Sequence, residues 1–429
     1  MKIYIHILVL VLTCFSTQAQ KSGERALPLM PIDQERVKAI ASMLPKQPKG
    51  FGDPIQQRTT WARLYSTGQF DKLIRDADSL AALPFPVLTE DIYFSYYKGV
   101  DSETSKRFIM NRRRWLSKLV WAECLTNQGK YMPAINKALN DILYTTSWSF
   151  PAEDKNKTNY EGSLYTIALS SAAYGHELGE TLYLLDTRLD KALKKQLLDA
   201  LSRKIFKPVL DAVRYKDARS QFTSLTNTGN YNAFTLANVT IAALAVIEDR
   251  QQRALFAYIA ERYSNNYLHG ILDDGYCSEG MDYYAFGFGH YLLLREGLWQ
   301  ATKGKIDILK REKVAKAAEF VPRMEIINGL YPAIADCAQY PKPHPLVMNY
   351  LKRSLNLAFK GYDTVSYNDI DQFSLAYVMY FFPNSLSRTR KAGRLSAYQL
   401  RQYFDKAGVL VLRPGVSSKP GLGVALKGG

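Results

Sequence analysis

The chain has 429 residues and a formal net charge of +16, with 47% apolar and 12% aromatic residues. That is enough apolar material for a sizeable core in one large domain or two ordinary ones. No stretch beyond the N-terminus is long and apolar enough for a spanning helix, which excludes an integral membrane protein of the helical kind.

Taken in chain order, the first residues read as a secretory signal. Lys2 supplies the positive start, Ile3 to Leu12 an apolar run, and Thr17-Gln18-Ala19 the small residues of a cleavage site. Residues 1–19 are therefore expected to be removed, leaving a secreted or periplasmic protein. Loss of Lys2 takes the charge from +16 to +15. Cys14 follows Val11-Leu12-Thr13, a poor match to a lipid-anchor box. Cys124, Cys277 and Cys337 remain; they are odd in number, far apart and without metal-ligand spacing, so they read as buried small residues. A basic exported protein points to anionic partners. Export sets nucleic acid aside and favours acidic polysaccharide.

Residues 20–60 read as an extended lead-in with scattered prolines and a turn at Gly50-Phe51-Gly52. Residues 61–385 carry helical periodicity. Leu189, Leu193, Leu197 and Leu201 recur every four residues. Leu255, Tyr258 and Ile259 form a second stripe, and Trp115, Leu116, Leu119 and Val120 a third. The pattern predicts helical hairpins stacked in a ring or solenoid. The basic runs Arg112-Arg113-Arg114 and Lys194-Lys195 read as solvated helix faces, with a role in guiding an anionic chain as the alternative.

The pattern changes near residue 386. Ser387 to Arg394 is polar and basic. Gly408 to Pro414 is a β-type run ended by proline, and Leu422, Val424 and Leu426 alternate with Gly423, Ala425 and Lys427. Two strands do not make a stable sheet domain. The expectation is a 386–405 linker followed by the start of a β-domain at 406–429 that a longer protein completes.

Two windows stand out: Thr226 to Phe234, ahead of an apolar helix, and Asp273 to Tyr291, rich in Gly and aromatics. Asn230-Tyr231-Asn232-Ala233, Asp274-Gly275, Glu279-Gly280, the pair Tyr283-Tyr284, and Tyr331-Pro332-Ala333 with Asp336 resemble the heparinase II/III family of polysaccharide lyases, which tends to show Trp where Tyr231 stands. The likeness covers roughly residues 110–340 and resumes at Ala407 to Leu410 and Gly421 to Gly423. It implies an (α/α) toroid over residues 20–385, followed by the first strands of an incomplete antiparallel β-sandwich.

The resemblance also implies β-elimination at a uronic acid unit. The weakly acidic C5 proton leaves only if the neighbouring carboxylate is neutralised as charge develops, and preorganised amide donors serve that end. Asn230 is the first candidate and Asn232 the second. A tyrosine then takes the proton and returns one to the leaving oxygen; Tyr283 and Tyr284 are both candidates. Tyr231, Asn232, Glu279 and His290 read as substrate-binding residues, His290 because it follows Tyr283 by seven positions and shares its helix face. No cofactor is expected within the chain. A further histidine and a metal site of the resembled family would fall beyond Gly429.

Competing readings of the same residues are a turn or helix-cap role for Asn230, loop ordering for Glu279, a satisfied core position for His290, and core packing for Tyr283, Phe286, Phe288 and Tyr291. At the level of function the alternatives are a glycoside hydrolase on a helical ring and a non-catalytic protein that binds acidic polysaccharide. A hydrolase needs two carboxylates on opposite sides of the bond, and Asp273, Asp274, Glu279 and Asp282 all come from one segment.

Overall fold

The computed structural model describes residues 27–100, 102–357, 361–363, 399–414 and 421–428. The signal at 1–19, Cys14, the run Ser387 to Arg394 and Gly429 lie outside the described residues. Within them the chain is mainly helical, with a small antiparallel sheet near its C-terminal end. No described helix is long and apolar enough to cross a membrane.

The first helices are α1 (Gln34–Met43), α2 (Arg58–Ser66), α3 (Asp71–Ala81) and α4 (Glu90–Phe94). Asp33 starts α1 by accepting from Arg36 N at 2.9 Å, and Thr89 starts α4 through Ile92 N. The long α5 (Ser102–Thr126) and α6 (Met132–Tyr144) follow, then α7 (Thr158–Glu161), α8 (Leu169–Leu185), α9 (Lys191–Leu201) and α10 (Lys207–Arg214). Next come α11 (Asn230–Val246), α12 (Arg250–Tyr263), α13 (Asn265–Gly270) and α14 (Met281–Ala301). The short α15 (Glu312–Ala318), α16 (Phe320–Met324) and α17 (Pro345–Ser354) complete the helical part.

The amphipathic stripes sit where the spacing places them, with one boundary shifted. Leu193, Leu197 and Leu201 are buried on α9, whereas Leu189 is buried in the turn ahead of it. The helix begins later because Asp190 caps it, its carboxylate accepting from Ala192 N and Leu193 N. On α12 the buried residues include Leu255, Tyr258 and Ile259, and on α5 they include Leu116, Leu119 and Val120.

Three helices differ from this pattern. α8, α11 and α14 are buried on nearly every side, as expected of helices without a polar face. They lie side by side and parallel. His176 meets Asn238, and three residues on Gly179 meets Ala242, so α8 and α11 advance in the same direction. Asn230 meets Gly287 and Ile241 meets Gly297, so α11 and α14 do as well. Between α8 and α11 the chain returns through α9 and α10, and between α11 and α14 through α12 and α13.

The sheet has the order β1 (Arg401–Phe404), β2 (Val409–Leu412), β3 (Val424–Lys427), all antiparallel. β1 lies within the stretch read as a linker, which therefore ends earlier than its composition indicates. Gln402 and Phe404 alternate inward, a strand pattern too short to stand out in a basic context. Phe404 packs against Tyr276 and Phe320, with the Arg323 guanidinium 4.1 Å above its ring. Arg323 also donates to the Asp274 carbonyl and to Gln402 Oε1, and Lys406 N donates to Asp274 Oδ2. The sheet thus anchors the loop that leads into α14.

Candidate functional site

The N-terminal turns of α8, α11 and α14 come together on one face. Glu153 accepts from the backbone N–H groups of Leu169 and Ser170 at the start of α8. Glu279 accepts from the backbone N of Asn230 at the start of α11, at 3.3 Å. Tyr231, in the first turn of α11, lies within electrostatic reach of both Glu153 and Tyr283, which raise its hydroxyl pKa after burial has done so first. Aligned peptide dipoles favour negative charge at such a junction, and its first N–H groups already hold the carboxyls of Glu153 and Glu279.

Asn230 stands at its centre and is 5% exposed. Its Nδ2 donates to Glu279 Oε1 at 2.8 Å, while its Oδ1 is buried without a partner. The pair is built by close approach. A β-carbon on Gly287 would stand 2.9 Å from Asn230 Cβ, so only glycine lets α14 come this near. Gly280, ahead of α14, has φ +91° and would meet the Ile334 and Asp336 carbonyls at 3.0 Å each. The Tyr331 to Asp336 segment therefore lies across the start of α14, and Ala338 N donates to Asp282 Oδ2 at 2.8 Å. Burial pushes the Glu279 carboxyl up, the bonds from Asn230 oppose it, and Asp336 adds to the rise. Burial also raises Glu153, against the backbone bonds it accepts.

The two tyrosines separate cleanly. Tyr283 is 44% exposed, beside Tyr231 at 45%. Tyr284 is fully buried against Phe288 and Phe320, its hydroxyl donates to the Ala317 carbonyl at 2.9 Å, and burial holds its pKa well above the usual value. Of the two, only Tyr283 presents its side chain to solvent. Neighbours on a helix point about 100° apart, and one of this pair meets the core.

Two other residues grouped with the site stand beneath it. Asn232 is fully buried and donates to the carbonyls of Ser224 and Leu225 at 3.1 and 3.0 Å, bracing the preceding turn against α11. His290 is buried between Phe234 and Phe286, its Nδ1 at 2.7 Å from the Phe286 carbonyl. Desolvation lowers its pKa to about 3, so it is neutral. It lies on the Tyr283 side of α14, as the spacing implies, but two turns deeper and buried.

Below the junction the parallel helices enclose a second polar group. His176 Nδ1 is 2.9 Å from Asn238 Oδ1, and its Nε2 lies 3.2 Å from Glu180 Oε2 without hydrogen-bond alignment. Arg113 approaches Glu177 at 3.8 Å, and desolvation raises Glu177 to about 7 despite that partner. Of the basic run, Arg112 is fully buried, pairing with Asp141 and Thr145 under the Phe85 ring, and only Arg114 is exposed. A solvated face is thus not what the run forms. Sequence reasoning missed Glu153 and the Glu177–Glu180 pair. Nothing local marks Glu153, and i, i+3 carboxylates on a helix ordinarily face solvent.

Among the described residues no group of three or more His, Cys, Asp or Glu is arranged around a common metal position. The three cysteines are free, with Cys124 and Cys277 buried and Cys337 half-buried. No protein-family model matches this chain and no curated protein matches it significantly.

Proposed function

We propose that this chain is the helical part of a secreted polysaccharide lyase that cleaves uronate-containing chains by β-elimination. The observation that carries the reading is that Tyr231 and Tyr283 lie within electrostatic reach of each other at the N-terminal ends of parallel helices, with Asn230 packed against Gly287 of α14. Parallel α8, α11 and α14, with return helices between them, are what an (α/α) toroid of hairpins requires. The three-stranded sheet fits the opening strands of a β-sandwich. A chain charge of +16 and three helix N-termini on one face favour an anionic substrate.

In this reading the substrate carboxylate sits at the helix N-termini and receives the Asn230 amide, which offsets charge as the C5–H bond breaks. The exposed Tyr283 oxygen takes the C5 proton and returns one to the departing glycosidic oxygen. The flat face of Tyr231 supports a sugar ring. Glu279 orders Asn230 and does not itself touch the reacting atoms.

A second reading is favoured by Glu153. It brings a carboxylate with a raised pKa from a different element to the surroundings of Tyr231, while Glu279 stands on the Asn230 side. Two carboxylates from separate elements meet the need of a glycoside hydrolase. Both, however, are engaged by helix N–H groups, and the hydrolase reading leaves Asn230 and Tyr283 without work.

Ultraviolet absorbance during digestion of a panel of uronate polysaccharides tests the proposal. A rise from C4–C5 unsaturated ends supports elimination. New reducing ends without that rise favour hydrolysis, and saturable binding with neither signal favours a binding protein.

A further inference from the structure

Asn230 is held by a group that can reverse its carboxamide. An ionised carboxylate accepts hydrogen bonds and donates none. A charged Glu279 therefore requires the orientation seen, with Asn230 Nδ2 donating to it at 2.8 Å. That orientation uses one of the two amide N–H groups for Glu279 and leaves buried Oδ1, an acceptor, without a partner. An anionic ligand gains nothing from a free acceptor. A protonated Glu279 changes the pairing: its O–H donates to Asn230 Oδ1, the carboxamide turns over, and both N–H groups of the NH2 become available instead of one. The two ends of a carboxamide are nearly equal in size, so the turn needs little new space.

The surroundings of Glu279 favour the proton. The carboxyl is packed against Gly229, where a β-carbon would stand 3.0 Å from Oε1. The titratable groups facing it are Asp336 from the overlying segment, Tyr267 from α13 and Cys277 from its own loop. Asp336 raises the Glu279 pKa, and burial holds the other two neutral.

We propose that the proton on Glu279 decides which end of the Asn230 carboxamide meets the ligand, so that capture of a substrate carboxylate is coupled to uptake of one proton from solvent. The inference rests on reading the site as one for uronate chains. Glu279 is then a positioning residue. Above its midpoint, binding weakens about tenfold per pH unit, because each ligand bound must bring a proton with it.

The test uses the full chain with 15N-labelled asparagine, the Asn230 side-chain amide being identified by its loss in Asn230→Asp. Its signal should move with pH about a midpoint above the ordinary glutamate value of about 4.3. In Glu279→Gln, whose amide can always donate, it should stay at the low-pH position throughout. A signal insensitive to pH in the unaltered chain, or one at the high-pH position in Glu279→Gln, overturns the proposal. Calorimetric titration with hexasaccharides from heparan sulfate, hyaluronan and alginate, in two buffers of different ionisation heat, reads the coupling. A Tyr283→Phe background prevents turnover. About one proton should be taken up per ligand, and none when Glu279→Gln is added. Glu279→Ala removes the charge but cannot orient the amide, so it should bind at least about tenfold more weakly than Glu279→Gln. Equal binding would reduce the effect to charge repulsion and overturn the proposal. Failure of all three hexasaccharides to bind would sink the uronate reading, while the amide titration still decides whether Glu279 turns Asn230.

Discussion

Gly287 on α14 lies directly against Asn230 on α11: a β-carbon on the glycine would stand 2.9 Å from Asn230 Cβ and 2.7 Å from Tyr267 Cε2. The candidate amide thus owes its place to a residue with no side chain. Gly287→Ala must push α14 away from α11, at a cost of about 1–3 kcal/mol in an already packed core. Denaturant unfolding should show that loss. Activity on a uronate polysaccharide should fall further than stability does, because Asn230 moves with the helix.

Tyr283 and Tyr284 should respond oppositely to loss of their hydroxyls. Tyr283→Phe removes an exposed group and should leave stability within about 0.5 kcal/mol while abolishing the absorbance rise. Tyr284→Phe strands the buried Ala317 carbonyl and should cost about 1–3 kcal/mol, with turnover kept. Paired thermal melts and absorbance assays check both. Loss of turnover in Tyr284→Phe alone would overturn the choice of Tyr283.

Glu177 makes stability depend on pH in a definite direction. Its folded pKa of about 7, up from 4.5, means the folded chain holds a proton that the unfolded chain has lost. Its contribution is therefore full below about pH 4.5 and declines as pH rises through about 7. The change amounts to about 3 kcal/mol at most. Glu177→Gln should flatten this part of the profile and stabilise the chain relative to the unaltered one above pH 7. Unfolding in denaturant across pH 4–8, for both chains, reads the difference directly.

Arg112 should behave as a core residue despite its place in a basic run. It is fully buried, with Asp141, Thr145 and the Phe85 ring around it. Arg112→Met strands Asp141 and should cost about 3–5 kcal/mol. Arg114→Met, at an exposed neighbour, should stay within about 0.5 kcal/mol. Comparable losses at the two positions would contradict the packing described.

The sequence by itself determined the helical class, the stripes that bury α5, α9 and α12, and two of the three strands. These follow from periodicity and turn chemistry, which act over a few residues. It also singled out Asn230, Glu279 and the tyrosine pair, through the family resemblance carried by Asn230-Tyr231-Asn232-Ala233, Glu279-Gly280 and Tyr283-Tyr284. Only the tertiary structure decided the rest. Whether Tyr283 or Tyr284 meets solvent depends on where Phe320 and Ala317 pack against α14. Asn230 pairs with Glu279 because Gly287 lets two helices touch across fifty-seven positions of chain. Glu153 reaches Tyr231 because the start of α8 lies beside the start of α11. Such contacts are set by how helices cross and how closely they approach, and no local pattern of residues carries that information.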